Sequence, residues 1–200
     1  YSDDQLDAIL RYIDEKAANP PQTISPYFQK RWKLLRRAFL LLRYTGCRGS
    51  EVNALRWSDI DDKSDTRFVF IDFEDHKTAS GADYDVKGDH EEKVPIVFKS
   101  FADEIKTWER THEYVLEGYW NTAVELNRAF KRIQQELGID GIKPLHGFRA
   151  AYCTKLITLG LNPALVQQAA RHRDISTTIR YVNATKNELA ESALALTAGL

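Results

Sequence analysis

A mostly helical domain with a small antiparallel sheet is the fold this sequence predicts, and three observations carry the expectation. Apolar residues recur at helical spacing through most of the 200 residues. Two short runs, "RFVFIDF" and "KVPIV", are rich in β-branched and aromatic side chains and read as strands. Glycines and Asn-Pro pairs fall between the periodic segments, where helices must stop and start. A chain of this length buries a sizeable core without disulfides. Its two cysteines, Cys47 and Cys153, lie in or beside apolar segments and read as reduced core thiols.

The first helix spans residues 2–18, with Ser2 as N-cap and Leu6, Ile9, Leu10 and Ile13 along one face, and Asn19-Pro20-Pro21 stops it. From about Phe28 to Tyr44 the pattern is helical and apolar enough for the centre of the core, and Gly46 ends it in the left-handed conformation. A short helix over 49–56 follows and runs into "RWSDIDD", a loop signature. The strands cover 67–73 and 93–97, joined by a long, mobile acidic hairpin connection. Helices are predicted over 99–117, over 121–137 with Gly138 closing it, and from Pro144 to Leu159 with Gly160 as cap. Asn162-Pro163 opens another, through about Ala170, and an alanine- and leucine-rich helix starts at Lys186. The organisation expected is a lead-in helix within 1–25, a main domain over 26–186 and a tail helix over 187–200.

The net charge of −1 hides a division along the chain. Residues 26–56 hold eight Lys/Arg against one acid, and residues 143–186 hold seven against one. Brought together by the fold, two such blocks would make one basic face; kept apart, they are solvated helix faces. No basic-then-apolar leader and no window long enough for a membrane span is present, so a cytosolic protein is expected.

Three motifs hold chemistry. "PLHGFRAAYC" places His146 and Arg149 three apart on one helix face. "TGCRGSEV" places Arg48 at the break between two helices, where its guanidinium and the free N–H groups of the next helix could face one anion. "RHRDISTTIRY" sets Tyr181 nine residues after His172. Together with "HKT" ahead of "KVPI", these motifs resemble, in order and spacing, the catalytic domain of the tyrosine recombinases, the phage integrase family. The resemblance covers about residues 30–186 and implies that family's catalytic-domain fold, with Arg48, Lys77, His146, Arg149 and His172 around a phosphate and Tyr181 as nucleophile. Glu51, one helical turn after Arg48, reads as a supporting residue that orients an arginine or histidine, or as a first-turn acid favouring the helix dipole; Arg43, Arg171, Arg173 and Arg180 are candidate DNA contacts, with a plain surface charge the alternative for Arg171. Two features depart from the pattern. "TASGADYDVKGDHEEK" intervenes after Lys77, so Lys87 and Lys93 stay open as the functional lysine, and Arg171 stands where the family commonly has glycine.

The chemistry asks for these residue types. A phosphodiester repels nucleophiles, and two permanently charged planar guanidiniums offset that repulsion. A phenol of pKa near 10 must lose its proton as it attacks, with help from a neighbour such as His146. His172 would hydrogen-bond a non-bridging oxygen, and a lysine whose pKa is lowered by arginines would protonate the departing 5′ oxygen. A phosphotyrosyl link retains the phosphoester energy, so rejoining needs no cofactor and no metal. The calcium-like "DYDVKG" fails as an EF-hand because Lys87 and Val94 occupy ligand positions, and His76 and His90 read as solvated loop residues.

The family implies double-stranded DNA carrying specific recombination sites as substrate, a homotetramer on DNA from monomers in solution, and an upstream DNA-grasping domain absent from this chain. The apolar tail would dock on a neighbouring subunit or close its own domain as a helix, and the setting would be the cytoplasm and nucleoid of a prokaryotic cell. The rival readings are a type IB topoisomerase-like enzyme and a catalytically inactive DNA-binding regulatory module.

Overall fold

The computed structural model describes residues 1–19, 26–65, 67–73, 76–77, 81, 83–84 and 92–183. Helix α1 (Asp3–Ala18) opens with a reciprocal cap: Gln5 N donates to the Ser2 hydroxyl, and Ser2 N donates to the Gln5 side chain. Its Leu6, Ile9 and Ile13 enter the main core, so the stretch read as a lead-in helix shares one hydrophobic cluster with the helices after it. Helix α2 (Pro26–Thr45) is the axis of that cluster; Leu34, Leu35, Ala38, Phe39, Leu41 and Leu42 are completely buried. Gly46 then turns the chain at φ +61° into α3 (Gly49–Ala54), as the sequence predicts.

A single 3₁₀ turn (Trp57–Asp59) leads into a three-stranded antiparallel sheet of order β1 (Ile60–Asp61), β2 (Phe70–Phe73), β5 (Glu92–Pro95). Ile60, Ile71 and Val94 are aligned across it and all buried, which pins the register. Pro95 is tolerated because β5 is an edge strand. Between β2 and β5, β3 (His76–Lys77) and β4 (Asp83–Tyr84) pair as a separate small hairpin. The rest of the acidic connection, the tail helix from Lys186 and the 187–200 docking segment lie outside the described residues.

The helix expected over 99–117 is cut short. Helix α4 (Lys99–Lys106) ends at its own C-cap, and residues 107–120 form turns. The cause is tertiary: the backbone groups of this segment are claimed from outside it. The buried Arg37 guanidinium donates to Glu109 O (2.9 Å) and Val115 O (3.2 Å), Trp57 N to Glu113 O, and Val115 N to Leu55 O. Helical periodicity cannot hold a segment whose carbonyls satisfy a buried arginine.

Helices α5 (Ala123–Glu136), α6 (Pro144–Thr158) and α7 (Pro163–Ala170) come next, then α8 over residues 175–183. Helix α6 faces two cores. Phe148 packs into the main cluster, while Tyr152, Cys153, Leu156 and Ile157 join Val166 and Ala170 in a smaller one, against which Tyr181 and Val182 rest. This sandwiched position brings the ends of α2, α6 and α7 to one place.

Candidate active site

The turn after α2 presents the first arginine. A Cβ on Gly46 would lie 2.3 Å from Tyr152 Cδ1, so close packing as well as the positive φ demands glycine. Arg48 occupies the N-cap of α3, and Glu51 one turn later reaches back to it. The buried carboxylate accepts from Arg48 N (2.6 Å) and from the Arg48 guanidinium (2.7 Å). Burial by itself drives this carboxyl up; Arg171, the Arg48 N–H and guanidinium, and Arg149 outweigh that and hold it below the ordinary carboxylate range. The arginine-orienting and first-turn readings of Glu51 are thus combined in one side chain.

Arg149 crosses from α6 to two other helix ends. It is 6% exposed, donates to Gly46 O at 2.8 Å, and also donates to Ala170 O and Arg171 O. Burial, then repulsion from Arg48 and Arg171, pushes its guanidinium below its ordinary value, though an arginine stays charged. His146, one turn earlier on α6, is exposed. Pro144 at the first helical position starts this turn.

Helix α7 delivers His172. Asn162 caps its start, and Arg171 closes it at φ +53°, with Arg171 N and His172 N bonded back to Gln168 O and Gln167 O. The imidazole is then held on two sides and its backbone on a third. Nδ1 is 2.8 Å from the Thr178 hydroxyl, the Gln167 amide donates to the His172 carbonyl at 3.0 Å, and the ring stacks on Tyr181 at 6.1 Å and 16°. Burial, then repulsion from Arg149, Arg48, Arg171 and His146, lowers its pKa to about 4, so the ring is neutral at pH 7. Burial raises the Tyr181 phenol, with Arg149 and Arg180 opposing.

These segments enclose a cleft of about 470 Å³ lined by Arg48, His146, Arg149, His172, Arg173 and Tyr181, among others. Five of the six residues for which catalytic roles were expected therefore face one space. The sixth, Lys77, has its backbone in β3, whose partner strand β4 lies against α3. Lys93 lies elsewhere: its ammonium bonds Asp61 and lines a different groove. Lys87 is outside the described residues. Cys47 also lines the cleft, but burial pushes its thiol up to about 12, which removes it as a thiolate nucleophile.

Two expectations need correction. Arg171 does not reach outward toward DNA; its guanidinium is buried on Glu51 and lies 3.7 Å from the Phe73 ring centroid. Nor is the first basic block a free cationic face. Lys30, Lys33, Arg36, Arg43 and Arg56 pair with Glu117, Glu109, Asp14 and Glu104, Asp7, and Glu113, while Arg37 is buried. Arg43, expected at DNA, thus braces α1 against α2. Arg173 and Arg180 are exposed. Thr178 and Gln167 were missed; the Thr-Thr pair after His172 was the available signal. Among the described residues no group of three or more His, Cys, Asp or Glu is placed to hold a metal ion, and no helix is long and apolar enough to cross a membrane.

Known proteins share this fold. The chain is 28% identical over 205 aligned positions to tyrosine recombinase XerC of Pediococcus pentosaceus, covering 94% of this chain and 62% of that protein. Similar folds include XerH site-specific recombinase bound to palindromic difH substrate (TM-score 0.65, 20% identity, 97% of this chain and 52% of that one). XerA recombinase (TM-score 0.64, 16% identity) is covered over 98% of this chain and 64% of its own. The Tn1549 transposon integrase in complex with transposon right end DNA (TM-score 0.62, 20% identity) is covered over 96% and 65%. The chain thus spans between half and two thirds of the length of these relatives. The phage integrase family model matches residues 3–188, from the first turn of α1 to beyond the cleft tyrosine, and the chain belongs to that family.

Proposed function

We propose that this chain is the catalytic part of a site-specific DNA recombinase or integrase that breaks and rejoins DNA through a 3′-phosphotyrosyl intermediate. The observation that carries the reading is the convergence of Arg48, His146, Arg149, His172 and Tyr181, from three separate stretches of chain, on one cleft.

The scissile phosphate binds between the two guanidiniums. Arg149 uses part of its donor set on main-chain carbonyls, which holds its plane fixed while its remaining N–H groups serve a non-bridging oxygen. With the Thr178 hydroxyl donating to Nδ1, neutral His172 carries its proton on Nε2 and donates it toward the same phosphate. Tyr181 Oη attacks phosphorus as its proton passes to His146, the P–O5′ bond breaks, and the leaving oxygen takes a proton from Lys77. The products are a 3′-phosphotyrosyl ester and a 5′-hydroxyl. Attack by the 5′-hydroxyl of a partner strand reverses the step and rejoins DNA. Arg173, which lines the cleft, and the exposed Arg180, next to Tyr181 in the chain, contact the DNA backbone. The substrate is double-stranded DNA carrying specific sites, bound by four copies that are monomers in solution, in a prokaryotic cytoplasm. The XerH and Tn1549 integrase structures, both DNA complexes, support the DNA partner.

The test uses a pool of nicked duplexes with randomised core sequence. The unaltered chain traps a denaturant-resistant protein–DNA adduct; Tyr181→Phe binds equally well and traps none. An adduct formed by Tyr181→Phe, or none by the unaltered chain, overturns the reading.

A further inference from the structure

Arg171 is the most unusual residue near the cleft. It is one of two non-glycine residues at positive φ among the described residues, and its guanidinium is buried although two of its nitrogens, Nε and one Nη, have no hydrogen-bond partner. Glycine would make the turn without strain, and an apolar side chain would cover Phe73 without burying a charge. Neither the turn nor the packing accounts for an arginine.

The contacts do. The Arg171 guanidinium donates to Glu51 Oε2, the oxygen that also accepts from Arg48 N, while Oε1 accepts from the Arg48 guanidinium. The Arg171 carbonyl accepts from Arg149. One residue therefore connects to both arginines of the cleft, to one by its backbone and to the other through Glu51. We propose that Arg171 is a positioning residue for strand cleavage, its guanidinium keeping the Glu51 carboxylate ionised and in place and thereby fixing the aim of Arg48. The inference rests on the cleavage reading above.

The charged and titratable groups facing Glu51 are Arg48 at the start of α3, Arg149 on α6, Arg171 after α7, and the Cys47 thiol. Arg48 and Arg149 remain when Arg171 is removed, so the carboxylate loses one of three cations and not its whole shell. Its proton affinity rises, and a protonated Glu51 can no longer accept from both Arg48 groups. The defect therefore deepens as pH falls.

Arg171→Gly isolates the guanidinium, because glycine keeps the left-handed turn and its carbonyl. Arg171→Met controls for apolar bulk, and Arg171→Lys restores charge. We expect single-turnover adduct formation at saturating DNA to fall on the order of tenfold in the Gly and Met variants near neutral pH, with DNA binding unchanged. The loss grows as pH falls, lysine recovers part of the rate, and Arg171→Gly adds nothing to Glu51→Gln. Titration of the Glu51 carboxyl by carbon NMR, which needs no DNA, moves upward in Arg171→Gly. An Arg171→Met variant at the unaltered rate and pH profile, losses that add with Glu51→Gln, or an unmoved Glu51 titration would each overturn the proposal. If the unaltered chain forms no adduct, the cleavage reading fails and the Glu51 titration alone decides whether Arg171 holds that carboxylate.

Discussion

Thr178→Val tests the aim of the histidine. Thr178 is completely buried near the start of α8, and its hydroxyl is 2.8 Å from His172 Nδ1. Valine keeps the branched shape and replaces that hydroxyl with a methyl group. The exchange removes one hydrogen bond, about 1 kcal/mol net, and leaves a ring nitrogen in a 9% exposed residue without its partner. An unsatisfied buried polar atom costs roughly 1–3 kcal/mol, so the folded state should lose about 1–3 kcal/mol in all. For a chain of this size each kcal/mol corresponds to roughly 2–4 °C in Tm. The functional loss should be larger than the stability loss suggests. Without the hydroxyl nothing fixes which ring nitrogen carries the proton, and the ring that stacks on Tyr181 is free to turn. Urea unfolding gives the stability, and the rate of adduct formation in a single turnover gives the function, expected to drop on the order of tenfold or more. Thr178→Ser separates the two, since it restores the hydroxyl while losing the methyl packing: it should regain most of the rate. If Thr178→Ser cleaves as slowly as Thr178→Val, or if Thr178→Val cleaves at the unaltered rate, the hydroxyl does not orient His172 and the argument is wrong.

Three further expectations come from the same geometry. Gly46→Ala should cost about 2 kcal/mol or more, from left-handed strain and from a Cβ placed 2.3 Å from Tyr152 Cδ1, and should slow cleavage because Gly46 O anchors Arg149; an unchanged urea midpoint would refute it. His172 has a folded pKa of about 4 against 6.5 for the free side chain, so the unfolded state takes up its proton first. Its contribution is complete above pH 6.5 and lost as pH falls toward about 4; His172→Gln should show a shallower decline of stability across that window, and equal slopes would refute the burial argument. Lys77→Ala should cleave slowly on ordinary DNA and recover on a substrate whose 5′ bridging oxygen is sulfur, since a thiolate leaves without a proton; failure to recover would remove Lys77 as the proton donor.

What was legible in the sequence divides along a physical line. Residues whose meaning is local could be read directly. Ser2 caps α1, Gly46 turns left-handed after α2, and Asn162-Pro163 opens α7, because caps and positive φ depend on a few neighbouring atoms. The segment after Lys106 could not, because its conformation is decided by Arg37, a side chain far away in the chain. Charge was only partly legible for the same reason. Counting found a basic block but could not see that acids from α1, α4 and the turns after α4 neutralise most of it.

Most of the candidate catalytic residues fall on the legible side for a structural reason. Arg48 comes after the turn at Gly46, His146 after the proline that starts α6, and His172 after the left-handed close of α7. A side chain that must meet an anion is best carried where a helix begins or ends, since there the backbone is fixed on one side and open on the other. Glycine marks the first of these places in the sequence and proline the second, while the third is closed by Arg171. Arg149 and Tyr181, each inside a helix, are the exceptions, and Arg149 is the instructive one. It lies inside α6 with no turn signal near it, and its aim depends on carbonyls at Gly46 and Ala170 that only the folded chain supplies. Arg171 is further still from legibility: its charge is visible in the sequence, but its address, a buried carboxylate at the start of α3, comes entirely from the packing of α6 between two cores.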